Sequence, residues 1–335
     1  MPSPIPILLD VDTGIDDALA LLLAVRSPEV ALLGVTTVAG NVDVEQTTRN
    51  TLAVLELAGA VHVPVARGAA RPLLRRLTTA TFFHGPNGLG GVELPPARRT
   101  PEPEPAALFL IRQVLARPGE VTLIATGPLT NVALALRLEP AFGPALRRLV
   151  VMGGAARVPG NVSPVAEANF YADPEAARIV FEAGLPLTMV GLDVTTRALF
   201  PAELYSRLAE TRRRIPKRFD AVASFCLDIL EFYLRADLAA GLSGSPLHDP
   251  LTVAGVIWPE LLQLEPAFVT IETESAAARG QSVTNLSGVV ELLTHGPEHD
   301  DVSGLTRVTP NCEVAVGVAA DTFLERFCAR LGLGE

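Results

Sequence analysis

Four carboxylates stand within eight residues in the string Asp10-Val11-Asp12-Thr13-Gly14-Ile15-Asp16-Asp17. Like charges this close repel one another unless protons or a cation intervene, and a set of hard oxygen donors suits calcium or magnesium. A purely structural role, with Asp16 and Asp17 complementing a helix N-terminus, accounts for two of the four acids and leaves two unexplained. A bound divalent cation accounts for all of them. Far along the chain, His248-Asp249-Pro250 places an imidazole beside another carboxylate. With an ordinary pKa near 6.5, such a ring can donate a proton at neutral pH. The same tripeptide also reads as a helix start, with Asp249 as N-cap and Pro250 at the first helical position, and the two readings are compatible.

These residues need elements to hold them. Ile7 to Val11 reads as a buried strand and Ala18 to Val25 as the helix after it. On a strand, residues two apart share a face, so Asp10 and Asp12 point the same way. Asp16 and Asp17 are successive helical positions and diverge, and Gly14 is expected to let the chain fold back between the two elements. A second strand over Leu32 to Val38 precedes a helix from about Val44 to Leu57. Further strands are expected at Val121 to Ala125, Leu149 to Met152 and Leu187 to Val190, and helices at Val132 to Leu138 and from near Asp173. Short β-branched runs alternating with helices predict an α/β fold: an open, mostly parallel sheet flanked by helices. Two Gly- and Pro-rich stretches, Phe82 to Pro105 and Ala239 to Pro246, are expected as long loops, the first of them a lid. Nothing divides the chain, so residues 1–335 are expected to form a single domain with additional C-terminal elements.

Composition narrows the chemistry. The 335 residues carry 27 basic and 37 acidic side chains, a formal charge of −10, which argues against nucleic acid as partner. Lys217 is the only lysine and lies in an arginine-rich run, so P-loop, kinase and Schiff-base chemistries lose the positioned lysine they require. Cys226, Cys312 and Cys328 have neither zinc-like nor redox spacing. A reduced, cytoplasmic setting is expected, with no membrane segment.

The acidic string fails as an EF-hand loop, because Ile15 and Leu21 occupy the positions that need Gly and Glu. Asp10-Val11-Asp12 matches the opening of haloacid-dehalogenase phosphatases, but Gly14 departs from their pattern. Residues 10 to 17, followed by Ala18-Leu19-Ala20-Leu21, resemble the signature of the inosine-uridine preferring nucleoside hydrolases. Other motifs agree in order: Ala39-Gly40-Asn41, His84-Gly85-Pro86-Asn87-Gly88-Leu89, Thr126-Gly127-Pro128-Leu129-Thr130-Asn131, Val151-Met152-Gly153-Gly154, Asn161 with Glu167-Ala168-Asn169, and His248-Asp249-Pro250. The set spans residues 7 to about 250.

The resemblance implies a Rossmann-like form of the sheet and hydrolysis of the C1′–N bond of ribonucleosides to free base and ribose. It implies calcium held by Asp12, by both oxygens of Asp17, by the backbone carbonyl of Thr126 and by Asp249, with Asp10 orienting the site from behind. Asp12 would take the proton from water and His248 would protonate the leaving base. Asp16, Asn41 and Asn169 would grip the ribose hydroxyls, Asn161 and Glu167 would lie on the 5′ side, Met152 beneath the sugar and His84 beside the base. A homodimer or homotetramer is implied. Ala168 departs from the phenylalanine common in well-studied members, and the aromatic lid residues near Phe232 and Tyr233 cannot be aligned from the sequence. Asp173 with Pro174 is expected to be only a helix cap, Asp193 to be structural, and His62, His295 and His299 to lie outside the site. Two other readings remain open here: a magnesium phosphatase and a non-catalytic ribose-binding protein.

Overall fold

In the computed structural model, which describes residues 3–286, 291–292, 305–306 and 309–334, the acidic string sits where a strand hands over to a buried helix. The first half runs β1 (Ile5–Val11), α1 (Ile15–Val25), β2 (Val30–Thr37), α2 (Val44–Leu57), β3 (Val65–Arg67), α3 (Thr81–His84), α4 (Ala106–Leu115), β4 (Thr122–Ala125), α5 (Thr130–Leu138), α6 (Phe142–Ala145) and β5 (Arg148–Met152). There follow α7 (Ala168–Ala172), α8 (Pro174–Phe181), β6 (Leu187–Val190), α9 (Leu192–Thr195), β7 (Leu199–Pro201), α10 (Ala202–Arg214), α11 (Ala221–Ala239), β8 (Gly244–Pro246) and α12 (His248–Ile257). The chain ends with β9 (Leu262–Ile271), β10 (Ser282–Asn285), β11 (Glu291–Leu292), β12 (Leu305–Thr306), β13 (Cys312–Val318) and α13 (Ala320–Leu331).

The main sheet has the order β10-β9-β13-β6-β5-β4-β1-β2-β3. Pairing is parallel from β3 through β13 and antiparallel at β13–β9 and β9–β10. The expected α/β architecture is therefore present, with its late additions extending one edge. Because the order reverses between β1 and β4, the carboxyl ends of these two strands open a crevice, the place where open α/β sheets bind ligands.

Side chains explain the layering. Ile7, Leu9 and Val11 of β1 pack in the cluster with α1, α11 and α12, whereas Leu8 faces the opposite cluster with α4 and α5. That alternation is the period-two pattern of a strand covered on both faces. Helix α1 is buried from Ile15 through Ala24, which fits a helix enclosed by sheet and neighbours rather than one with a wet face. Each large aliphatic side chain buried in this way contributes roughly 1.5–3 kcal/mol.

Several boundaries differ from expectation. Helix α1 starts at Ile15, because its first turn is built from Asp16 and Asp17 rather than from the apolar run alone. Residues 82–105 do not form a loop from the outset, since α3 occupies Thr81–His84. The stretch from Ala239 to Pro246 is mostly ordered: α11 runs to Ala239, and β8 pairs with β7 in a short antiparallel ribbon. Strands β3, β7 and β8, three residues each, are too short to leave a periodic signal. No helix among the described residues is long and apolar enough to cross a membrane.

Candidate active site

Asp12 follows β1 and lies in a slot between two glycines. A Cβ added to Gly40 would come within 2.0 Å of its Oδ2, and one added to Gly127 within 2.8 Å of its Oδ1. The Asn41 backbone N–H donates to Asp12 Oδ2 at 2.7 Å. Gly14 also serves close approach rather than an unusual turn. Its φ is −94°, but a Cβ there would lie 2.5 Å from His84 Nδ1 and 2.6 Å from Asn41 Nδ2. The expectation that Gly14 provides backbone freedom is corrected accordingly.

Asp17, in the first turn of α1, accepts from the Gly14 backbone N–H at 2.9 Å, from Asn41 Nδ2 at 3.1 Å and from Thr126 Oγ1 at 2.7 Å. Asp16 is the contrast: its Oδ1 is buried without a hydrogen-bond partner. Asp249 joins them from α12. Ligand oxygens of Asp16, Asp17 and Asp249 all lie within 4.8 Å of one another. The helix begins at His248 with Leu247 at the cap position, so Asp249 is not an N-cap. A helix does start at this tripeptide, but with Leu247 rather than Asp249 at the cap and Pro250 as its third residue, so the Asp249 carboxylate is free to face the other acids.

Electrostatics make this arrangement costly without a counter-charge. Burial, reinforced by the Asp17 charge, pushes the Asp12 carboxyl well above the ordinary range, and Asp16 is pushed up to about 8 by the same two causes. Asp249 is raised by burial and by the charges of Asp16, Asp17 and Asp12. Asp17 is raised by burial despite its donors. Protons or a cation must hold such a group together. All its donors are oxygens, a set that fits calcium or magnesium and not a thiolate- or imidazole-seeking metal.

Asp10 points away from the cluster. Its Oδ1 accepts from Thr36 Oγ1 at 2.6 Å and Asn131 Nδ2 at 2.8 Å, and burial lifts the carboxyl to about 7. Asn131 also donates to the Thr37 carbonyl and accepts from the Ala69 N–H. Asp10 thus fixes the start of α5 and, with it, the turn carrying Thr126 and Gly127.

Across the crevice, Asn169 Nδ2 donates to the Thr126 carbonyl at 2.6 Å and reaches the Met152 carbonyl at 3.2 Å. Met152 is buried at the end of β5. Glu167 caps α7: its Oε1 accepts from the Asn169 N–H, and its Oε2 from those of Phe170 and Gly154. Burial lifts it to about 7. Asn161 is exposed, and its Oδ1 accepts from the Ala168 N–H at 3.1 Å. Met152, Asn161, Glu167 and Asn169 therefore form one hydrogen-bonded wall that meets the acidic cluster at Thr126.

His84 and His248 lie on the opposite side. His84 is buried, not exposed on a lid; its Nδ1 accepts from the Ile15 N–H at 3.1 Å. Burial and the nearby His248 lower it to about 3. Its 3.9 Å approach to Asp16 therefore involves a neutral ring and is not an ion pair. Burial also lowers His248 to about 4, so the ring is neutral at neutral pH, contrary to what its ordinary value suggests. Its Nδ1 lies 2.8 Å from Thr195 Oγ1.

Two neighbours carry no assignment from the sequence. Tyr233 on α11, in the stretch where the family resemblance implies aromatic lid residues, packs its ring 5.8 Å from that of His84. Thr195 ends a four-residue helix and belongs to no recognisable motif. Asp173 acts as expected, capping α8 through the Ala176 N–H. Asp193 is structural, accepting from the N–H groups of Ala156 and Arg157. His62 is exposed, while His295 and His299 lie outside the described residues.

A crevice at the strand-order reversal, lined by buried acids and by the side-chain amides of Asn41 and Asn169, is where such a fold binds its ligand. Residues 7–325 match the family described as "Inosine-uridine preferring nucleoside hydrolase", and the chain belongs to that family. It is 40% identical over 269 residues to uridine nucleosidase 1 of Arabidopsis thaliana, covering 80% of this chain and 78% of the relative. It is 38% identical over 329 residues to the pyrimidine-specific ribonucleoside hydrolase RihA of Citrobacter koseri, covering 98% of each. Among solved structures, a plant nucleoside hydrolase superposes with a TM-score of 0.87 at 32% identity, covering 98% of this chain and 99% of that one. The purine-preferring ribonucleoside hydrolase of Gardnerella vaginalis gives 0.85 at 34% identity, covering 98% of each. The protein is an enzyme that hydrolyses the N-glycosidic bond of ribonucleosides. Neither the phosphatase nor the non-catalytic reading has support.

Proposed function

We propose that the enzyme is a calcium-dependent ribonucleoside hydrolase in which Asp12, Asp17, Asp249 and the Thr126 carbonyl hold the ion. The observation that carries this reading is the convergence of the buried carboxylates of Asp16, Asp17 and Asp249, from α1 and α12, within 4.8 Å of one another, with one oxygen of Asp16 left unpaired and Asp12 close enough to interact with Asp17 and Asp249. When bound, calcium would neutralise these acids, orient the attacking water and grip the sugar hydroxyls. Asp12 accepts the proton of the attacking water, held in place by the Asn41 N–H. Asp16, Asn41 and Asn169 bind the ribose hydroxyls; Asn161 and Glu167 serve the 5′ side, where Glu167 retains one of its four lone-pair positions beside three backbone donors. Met152 packs beneath the sugar. His84 lies toward the base and His248 presents an N–H to it, offsetting the negative charge that develops as the C1′–N bond breaks.

Uridine and cytidine are the proposed substrates, supported by the names of the pyrimidine-directed relatives at about 40% identity. A homodimer or homotetramer acting in the cytoplasm completes the proposal. The test is to incubate the calcium-loaded enzyme with uridine, cytidine, inosine and a phosphomonoester, and to assay reducing sugar and phosphate. Ribose released fastest from uridine supports the reading. Phosphate without ribose overturns it.

A further inference from the structure

We propose that Thr195 is a positioning residue that fixes the tautomer of His248, so that Nε2 carries the hydrogen offered to the departing base. The inference rests on the role given above to His248. Thr195 is fully buried, and its Oγ1 lies 2.8 Å from His248 Nδ1, the only hydrogen bond of this hydroxyl among the described residues. The neighbouring Thr196 behaves as a helical threonine usually does, donating back to the Leu192 carbonyl at 2.6 Å. Thr195 forgoes that bond.

A buried hydroxyl needs an acceptor for its proton, and His248 Nδ1 is the acceptor available. If Nδ1 instead carried the hydrogen, it would donate to Oγ1, strand the hydroxyl proton and turn a lone pair on Nε2 toward the base. With Thr195 donating, the ring's hydrogen resides on Nε2, which has no hydrogen bond among the described residues and is free for a ligand. A second nitrogen bonded in this way is the usual means of choosing a histidine's tautomer.

The fold holds this pair rigidly. Thr195 is three residues before Ala198, whose carbonyl accepts from the Leu247 N–H at 2.8 Å. The next pair in register is Leu199 with Pro246 in the β7–β8 ribbon. Residue 247 immediately precedes His248, so the ribbon sets the distance between the hydroxyl and the ring. In the reaction, the water oxygen bonds to C1′ and its proton passes to Asp12. The electron pair of the broken C1′–N bond goes to the base, which leaves hydrogen-bonded to Nε2–H.

The experiment compares wild type, Thr195→Val and Thr195→Ser on uridine and on 4-nitrophenyl ribofuranoside, whose leaving group needs no such hydrogen bond. Thr195→Val should lower kcat on uridine by about tenfold or more, at the low end of or below what proton-donor catalysis typically contributes, with KM little changed. The nitrophenyl substrate should lose about twofold or less, and Thr195→Ser should restore uridine turnover. Equal losses on both substrates, or none, would overturn the proposal. Imidazole ¹⁵N shifts of wild-type His248 give a second readout that does not depend on a variant folding: Nδ1 unprotonated and Nε2 protonated supports the assignment, and the reverse overturns it. A wild-type enzyme that releases no ribose from any nucleoside would instead overturn the function proposed above, and the ¹⁵N result would still decide the tautomer.

Discussion

Gly40 and Asp12 are in such close contact that a single methyl group on residue 40 would fall 2.0 Å from Asp12 Oδ2. The same approach brings the Asn41 N–H to that oxygen at 2.7 Å, so the missing side chain and the anchored carboxylate are one device. Gly40→Ala must push Asp12 aside, and a misplacement of about 1 Å costs about 10²-fold in rate. The expected result is a folded protein by circular dichroism with kcat on uridine reduced by about that factor. Near-normal turnover would mean that Asp12 is not the working base.

How far the sequence foretells this site depends on the length scale of each signal. The apolar run of β1, the apolar run of α1 and the acids between them are local patterns, and they place Asp12, Asp16 and Asp17 where a strand hands over to a helix. Thr126 and Asp249 needed the ordered motifs of the family, because their convergence is long-range. The burial of His84 is hidden by the glycines around it, which suggest a mobile loop but here let the backbone approach Asn50 and Phe232 closely. Thr195 and the three-residue strands β7 and β8 were illegible for a different reason: their partners lie about 50 residues away, and no local period records the pairing.

On the proposed assignment the acidic side chains divide into those that would hold a cation and those that serve other ends, and binding measurements should separate them. Asp17→Ala and Asp249→Ala each remove an oxygen from the closest cluster and should weaken calcium binding by at least about tenfold in a titration by calorimetry. Asp10→Asn alters a carboxyl that bonds Thr36 and Asn131 outside the closest cluster and should change calcium affinity by less than about threefold while lowering thermal stability. Unchanged affinity in both cluster variants would place the ion elsewhere.

Removing the cation should make stability depend on pH in a defined sense. Asp16 is raised to about 8 and Asp10 to about 7, so both bind protons more tightly folded than unfolded. Their contribution is present below the unfolded value of 3.8 and is lost as pH rises through the folded values. Chelated enzyme should therefore lose thermal stability between about pH 5 and 8, and excess calcium should restore more at pH 8 than at pH 5. A Tm difference between calcium and chelator that is the same at both pH values would argue against a cation neutralising this cluster.

Asp193 offers a test of how the wall proposed for the 5′ side is held. Its two carboxylate oxygens accept from the Ala156 and Arg157 N–H groups, each at 2.7 Å, and so pin the start of the segment that leads to Asn161 and Glu167. Among the described residues, none of its hydrogen bonds reaches Asp12, Asp17 or His248. Asp193→Ala frees the backbone donors of half-buried Ala156 and exposed Arg157 and loosens the segment, which should raise KM for uridine by several-fold, on the order of the 0.5–1.5 kcal/mol that a typical hydrogen bond contributes. Turnover at saturation should fall by less than about threefold, because the residues that move protons stay where they are. A 5′-deoxyuridine control sharpens the result. If the wall acts through the 5′ hydroxyl, wild type and Asp193→Ala should differ much less on this substrate than on uridine; an equal difference on both would assign the KM effect to general loosening of the crevice.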